Sequence, residues 1–329
     1  MTTGRKMIVV TGGAGFIGSA FVWKLNQEGI DDIIIVDRLG ESDKWKNLVN
    51  LRFMDYLHKD DFLQMILADQ VPHEVRAVIH MGACSSTTER DADFLWRNNY
   101  LYSRRLAEWT LRRGIRFIYA SSAATYGDGS CGFSDDDALT PSLRPINMYG
   151  YSKQLFDLWV LKRGLEKQIA GIKFFNVFGP NEYHKGDMRS VVHKAFGQIT
   201  ETGRVRLFKS CRPAYADGGQ MRDFIYIKDC VEALWWLLEH AEVNGIFNLG
   251  TGRARSWNDL IQSVFAAMKL ETNIEYIDMP PGLEGQYQYF TEAKMDKLKA
   301  AGCPIACRPL EDAVRDYVVR HLQQKDPCL

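Results

Sequence analysis

Tyr149 and Lys153 stand four residues apart in the run Tyr149-Gly150-Tyr151-Ser152-Lys153. On a helix that spacing points both side chains the same way. A phenol with its ordinary pKa of about 10 is a poor base at neutral pH. A nearby ammonium stabilises the phenolate and lowers that pKa, which makes the pair a proton-transfer device. Ser122 adds a third group. It lies in Tyr119-Ala120-Ser121-Ser122-Ala123-Ala124-Thr125-Tyr126-Gly127, where an apolar run ends. A hydroxyl there can hydrogen-bond a reacting oxygen, whereas Ser121 reads as a structural cap. By itself the pair also fits a solvated helix face, so its meaning depends on its surroundings.

Upstream, Thr11-Gly12-Gly13-Ala14-Gly15-Phe16-Ile17-Gly18 follows the apolar stretch Met7-Ile8-Val9-Val10. A strand, a glycine turn and a helix make an anion site, because the helix start presents unpaired N–H groups and the positive end of its dipole. Gly12 and Gly15 let the backbone turn and approach a pyrophosphate, and Gly18 lets the helix pack closely on a sheet. Further on, Ile33-Ile34-Ile35-Val36 ends in Asp37. That is about 20 residues after the loop, where an acid meets the adenosine ribose. Asp37 favours NAD, while Arg38 and Lys44 can hold the 2′-phosphate of NADP. These residues leave both cofactors open. A cationic nicotinamide ring would join Lys153 in lowering the Tyr149 pKa, and Lys153 can also hold the nicotinamide ribose hydroxyls.

The elements that position these groups alternate in type. Strands are expected at 8–11, 33–36, 77–80, 117–121 and 171–176, with helices at 14–28, 91–113 and 149–166. Such alternation predicts an α/β fold, a doubly wound parallel sheet of the Rossmann type. After about residue 177 the pattern becomes irregular, with loops at 180–185 and 212–220. Helices are expected at 190–202, 230–240, 259–268, 292–300 and 310–321, and strands at 205–208, 224–227 and 246–249. The expected dinucleotide-binding domain takes 1–176 plus about 223–252. A smaller α/β C-terminal substrate lobe takes 177–222 plus 253–329, with catalysis in the cleft between them.

Composition narrows the class. Lys+Arg and Asp+Glu both number 41, so no net charge points to nucleic acid or a membrane surface. No apolar stretch reaches about 18 residues, so no transmembrane helix is expected. The apolar run near the start is too short for a signal sequence. The cysteines at 84, 131, 211, 230, 303, 307 and 328 show neither paired nor metal-ligand spacing. Reduced thiols, a cytoplasmic location and no metal are the expectation.

Gly12-x-x-Gly15-x-x-Gly18, Ser122 and Tyr149-x-x-x-Lys153 resemble the extended short-chain dehydrogenase/reductases that act on nucleotide sugars, over nearly the whole chain. A narrower set is similar to the ADP-L-glycero-D-manno-heptose 6-epimerase family. It comprises His80-Met81-Gly82-Ala83-Cys84-Ser85-Ser86-Thr87-Thr88-Glu89, Asn98-Asn99-Tyr100, Asn176-Val177-Phe178-Gly179-Pro180, His184-Lys185-Gly186 and Phe247-Asn248-Leu249-Gly250-Thr251-Gly252. The string from Ala83 to Glu89 is the most family-specific. This resemblance implies inversion of ADP-D-glycero-β-D-manno-heptose at C6″, for lipopolysaccharide inner-core precursor synthesis. It also implies bound NADP and a homo-oligomer, often a pentamer.

The same resemblance implies roles for single residues. Lys185 is similar to the family's second acid/base, beside Tyr149, Ser122 and Lys153. Gly12, Gly15, Phe16, Ile17, Gly18, Asp37, Arg38, Lys44, Lys59, Met81, Gly82, Ala83, Cys84, Ser85, Asn98, Lys153, Val177 and Lys185 would line the cofactor. Ser122, Asn176, Asp187, Lys194, Phe208, Lys209, Ser210, Cys211, Arg212, Arg222 and Tyr287 would line the ADP-heptose. Members of the family often carry Glu, Ser and His where Met81, Asp187 and Lys194 stand here. Two other enzyme readings share Ser122, Tyr149 and Lys153: a UDP-hexose 4-epimerase and a nucleotide-sugar dehydratase. Tyr126 and Gly127 follow Thr125 where a dehydratase usually carries acids, and a 4-epimerase has no need of Lys185. A cofactor-binding regulator would not need the phenol.

Overall fold

The β-branched and apolar runs Met7–Thr11 (β1) and Ile33–Asp37 (β2) are buried along their whole length, as suits strands covered on both faces. The structure is a computed structural model that describes residues 6–71, 74–280 and 288–329. Helix α1 (Phe16–Gln27) joins β1 to β2. The alternation continues through β3 (Asp55–His58), α2 (Lys59–Leu67), β4 (Val75–His80), α3 (Ala92–Leu95) and α4 (Tyr102–Arg112). Next come β5 (Arg116–Ser122), α5 (Met148–Lys162) and β6 (Ala170–Phe174). The later elements are β7 (Asn176–Phe178), α6 (Val191–Thr202), β8 (Val205–Phe208), β9 (Met221–Tyr226), α7 (Ile227–Glu239) and β10 (Gly245–Leu249). The chain then forms β11 (Ala254–Ser256), α8 (Trp257–Ala267), β12 (Ile274–Ile277), α9 (Asp296–Ala300) and α10 (Leu310–Tyr317).

Seven strands form one sheet in the order β10-β6-β5-β4-β1-β2-β3, and every pairing in it is parallel. This is the doubly wound order with one late strand added at the β6 edge. Strand alternation serves two cores. Ile8, Val10, Ile33 and Ile35 pack in the cluster that contains Phe21 of α1 and Leu234 of α7. Met7, Val9, Ile34 and Val36 pack with Phe62 of α2, Leu106 of α4 and Phe156 of α5. The order reverses between β1 and β4, so a crevice opens where their C-terminal ends diverge.

Several elements differ from the sequence reading. The expected strand at 171–176 divides into β6, in the large sheet, and β7, which pairs with β9. The division falls at Phe175, whose N–H donates to the Leu249 carbonyl as the chain changes sheets. Strand β9 therefore belongs to a three-stranded sheet with β7 and β11, while β10 joins the large one. The helix expected at 91–113 contains a π-helical turn, Trp96–Leu101, between α3 and α4. The helix expected at 292–300 starts only at Asp296, because backbone before it is committed elsewhere: Thr291 N–H donates to Met221 O and Ala293 N–H to Asp223 Oδ2. Strands β3 and β12 are short and partly exposed, and they carry little apolar signal.

Candidate active site

Gly12 turns the chain at the end of β1 with φ +67°, and a Cβ there would lie 2.5 Å from Gly82 N. Gly18 is held as closely, since a Cβ on it would overlap the Gly12 carbonyl. Helix α1 starts from Gly15 without a side-chain cap, so its first N–H groups face the crevice without an intramolecular partner from a side chain. A pyrophosphate fits this cradle by charge and by room.

Asp37 at the end of β2 is buried and already engaged. Its Oδ2 accepts from Ala14 N–H at 2.9 Å, and its Oδ1 accepts from Arg38 N–H and Lys44 Nζ, both at 2.7 Å. Lys44 thus stands at the β2 end of the crevice. Arg38, Lys59, Cys84 and Asn98 line a side pocket of about 170 Å³, which shares Gly12, Asp37, Lys44, Gly82 and Ala83 with the main cleft. Burial pushes the Cys84 thiol up.

The main cleft, about 500 Å³, runs from the glycine loop to the ends of β5 and β6. Gly12, Gly15, Phe16, Ile17, Gly18, Met81, Gly82, Ala83, Ser85, Lys153, Val177 and Lys185 all line it. Ser122, Tyr149 and Asn176 join them there. The sequence places Asn147 before α5, and its Oδ1 caps that helix by accepting from Gly150 N–H at 2.8 Å. The cap sets the first turn, which carries Tyr149. One turn on, Lys153 is buried and its Nζ donates to Ala120 O at 2.7 Å.

Burial dominates the acid–base character of the site. It pushes the Tyr149 phenol above its ordinary value, and a hydrogen bond with Ser122 works against that rise. Desolvation is thus the largest effect of the chain itself on this phenol, set against the lowering expected from Lys153 together with a bound nicotinamide ring. Burial pushes Lys153 down to about 8, opposed by the Asp157 carboxylate. Lys185 is also pushed down by burial, with Glu182 opposing. It rides on the turn Tyr183–Met188, with its Nζ 5.3 Å from the centre of the Phe16 ring. Two lysines with softened basicity and a phenol thus converge on one cleft from α5 and from a separate turn.

The proposed substrate residues are less concentrated. Besides Ser122 and Asn176, none of those described lines the cleft. Asp187 and Lys194 are exposed. Phe208 ends β8, and Lys209 pairs with Asp278 at 2.9 Å. Ser210 accepts from Arg212 N–H, Cys211 N–H donates to Tyr289 Oη, and the Arg212 guanidinium lies 4.4 Å from the Tyr289 ring centre. Arg222 is buried, donates to Met221 O and Gln288 O, and stacks on Trp257. Tyr287 lies outside the described residues. Gln288 and Thr291 line the cleft although nothing in their local sequence marks them; Thr291 Oγ1 donates to Asn176 Oδ1 at 3.4 Å. Asn147 carried a usable signal, as a capping residue two positions before Tyr149.

Comparison with known proteins agrees with this geometry. The model of the NAD dependent epimerase/dehydratase family matches residues 8–250. An ADP-L-glycero-D-manno-heptose-6-epimerase of Nitratidesulfovibrio vulgaris (strain DP4) is 64% identical over 323 residues, 98% of this chain and 100% of the relative. The enzyme of that description from Fusobacterium nucleatum subsp. nucleatum is 47% identical over 334 residues, again 98% and 100%. The crystal structure of Helicobacter pylori ADP-L-glycero-D-manno-heptose-6-epimerase superposes with a TM-score of 0.81 at 25% identity, covering 96% of both chains. With a nucleotide cradle, a Ser–Tyr–Lys constellation and these relatives together, the chain belongs to the NAD dependent epimerase/dehydratase family and, within it, to the ADP-L-glycero-D-manno-heptose-6-epimerases.

Proposed function

We propose that this enzyme inverts C6″ of ADP-D-glycero-β-D-manno-heptose to give the L-glycero epimer, a precursor of the lipopolysaccharide inner core. The observation that carries the reading is the meeting of Tyr149 and Lys185 in one cleft from two separate elements. When bound, a nicotinamide supplies the hydride acceptor for C6″ and then returns the hydride, so there is no net redox change. Tyr149, as phenolate, takes the C6″ hydroxyl proton while Ser122 hydrogen-bonds the same oxygen. Lys153 keeps positive charge beside the phenolate. Loss of hydride leaves an aldehyde that turns about C5″–C6″ and presents its other face. The oxygen then lies on the opposite side, where Lys185 donates the proton that completes the new alcohol. One oxygen with two orientations needs two proton-handling groups.

NADP is the proposed cofactor. Asp37 is occupied by Lys44, and Arg38 and Lys59 line the adjoining pocket, which suits a 2′-phosphate better than a free ribose hydroxyl. The two-lobe division described above, a cytoplasmic location and a homo-oligomer belong to the same proposal; β10 of the large sheet, returning after β7–β9, supports the division. NMR of incubations with ADP-D-glycero-heptose and with UDP-glucose tests the function. Epimerisation of the heptose alone is expected, and turnover of UDP-glucose without the heptose rejects the reading. Mass spectrometry of nucleotide released from the denatured protein should find NADP.

A further inference from the structure

Beneath the cleft lies an ion pair with no access to solvent. Asp157 and Lys173 are 0% and 1% exposed, and Lys173 Nζ lies 2.8 Å from Asp157 Oδ2. The same Oδ2 accepts from Ser121 Oγ at 2.7 Å, and Oδ1 accepts from Tyr119 Oη at 3.0 Å. Lys173 also donates to Thr125 Oγ1 at 2.8 Å, and Thr125 Oγ1 donates to Ser122 O at 2.9 Å. The pair therefore holds the end of β5 from both sides: through Ser121 within the strand, and through Thr125 in the turn beyond it.

A buried pair of this kind is weak evidence for stability. Desolvating two charges costs several kcal/mol, and well-packed apolar residues of similar volume are often as good or better. What the pair does touch is catalytic geometry. Ser122 is fixed by its carbonyl to Thr125, and Lys153 is fixed to Ala120 O in the same strand end. Asp157 is one turn beyond Lys153 on α5, as Lys153 is one turn beyond Tyr149.

We propose that Asp157 and Lys173 form a positioning pair that sets Ser122 and Lys153 against Tyr149 and keeps Lys153 cationic during proton transfer. The inference rests on the reading of Tyr149, Lys153 and Ser122 as the proton machinery. Around Lys153 the titratable groups are Asp157 and Tyr149 on its own helix and His80 at the end of β4; Lys173 on β6 and Tyr119 on β5 stand behind Asp157. His80 is held neutral by burial and adds no charge. The Asp157 carboxylate is the group that opposes loss of the Lys153 proton.

Asp157→Asn keeps the side-chain volume and an acceptor for Ser121 but removes the charge. In the holoenzyme assayed on ADP-D-glycero-heptose, kcat is expected to fall about 10- to 100-fold, part of what acid–base catalysis contributes, with KM changed less than about threefold. The basic limb of the kcat–pH profile should move to lower pH, and Asp157→Glu should move it back. A folded Asp157→Asn enzyme with kcat within about threefold of the parent, or with the limb unmoved, overturns the proposal. If that variant does not fold, Asp157→Asn/Lys173→Gln, neutral throughout, faces the same two criteria. The parent enzyme tests the substrate reading separately. If it leaves the heptose unchanged, the Lys153 titration is followed by NMR of ¹³C-labelled lysine in parent and variant. A lower midpoint in the variant supports the pair, and an unchanged one overturns it.

Discussion

In the proposed mechanism Tyr149 and Lys185 reach the same competence by different routes. The tyrosine must lose a proton, and burial resists this. The lysine must give one up, and burial favours that. On that proposal the cleft favours donation by Lys185, whereas Tyr149 would depend on Ser122, on Lys153 and on the positive ring of a bound oxidised nicotinamide. Tyr149→Phe and Lys185→Met should each lower turnover by about 10²- to 10⁴-fold while bound cofactor is retained, as steady-state rates and mass spectrometry of released nucleotide would check. Near-normal turnover in Lys185→Met would reduce that residue to an ordinary loop lysine. The spacing of Tyr149 and Lys153 was readable because a helix turns every few residues. Gln288 was not, because it reaches the cleft from far along the chain and pins itself to Gly127 O.

The glycine loop and the turn that bears Lys185 are not independent elements. Asn47, buried in the helical turn Asp43–Leu48, donates from Nδ2 to Ala14 O in the first and to Asn181 O before the second, each at 3.0 Å. Asn181 in turn donates to Ser19 Oγ of α1. The glycine loop and the turn that bears Lys185 are thereby tied together through Asn47 and Asn181. Asn47→Ala leaves two buried carbonyls without this donor and should cost about 1–3 kcal/mol, measured by urea unfolding, with a lower kcat from the loosened Lys185 turn. The π-helical turn plays a similar part on the other side. It directs Asn99 so that it accepts from Cys84 N–H and donates to Cys84 O and Ser152 Oγ, all at 2.9 Å. Periodicity showed a helix here but not the extra residue in its turn, since the π insertion is settled by side chains that meet across the fold.

The molecule as a whole carries a pH limit written at the β4 end. His80 is buried between Thr11 and Ser103; because Ser103 Oγ donates to Asn99 O, His80 Nε2–H donates to Ser103 and Nδ1 accepts from Thr11. Burial, with Lys153 adding repulsion, lowers its pKa from 6.5 to about 3. A histidine depressed on folding contributes stability that is complete above its unfolded pKa and is lost as pH falls. Between about pH 6.5 and 3 the parent should therefore lose stability relative to His80→Gln by up to about 1.4 kcal/mol per pH unit. Denaturant unfolding at a series of pH values reads this, and parallel curves would reject it. The sheet, the glycine turn, the acid at Asp37 and the Tyr–Lys spacing were legible in the chain because each is a local pattern of burial, backbone freedom or helical repeat. The division of 171–176 between two sheets, the engagement of Asp37 by Lys44, the meeting of Lys185 with Tyr149 and the Asp157–Lys173 pair needed the folded chain. Each depends on residues distant in sequence, and burial, which sets their protonation, exists only once those residues have come together.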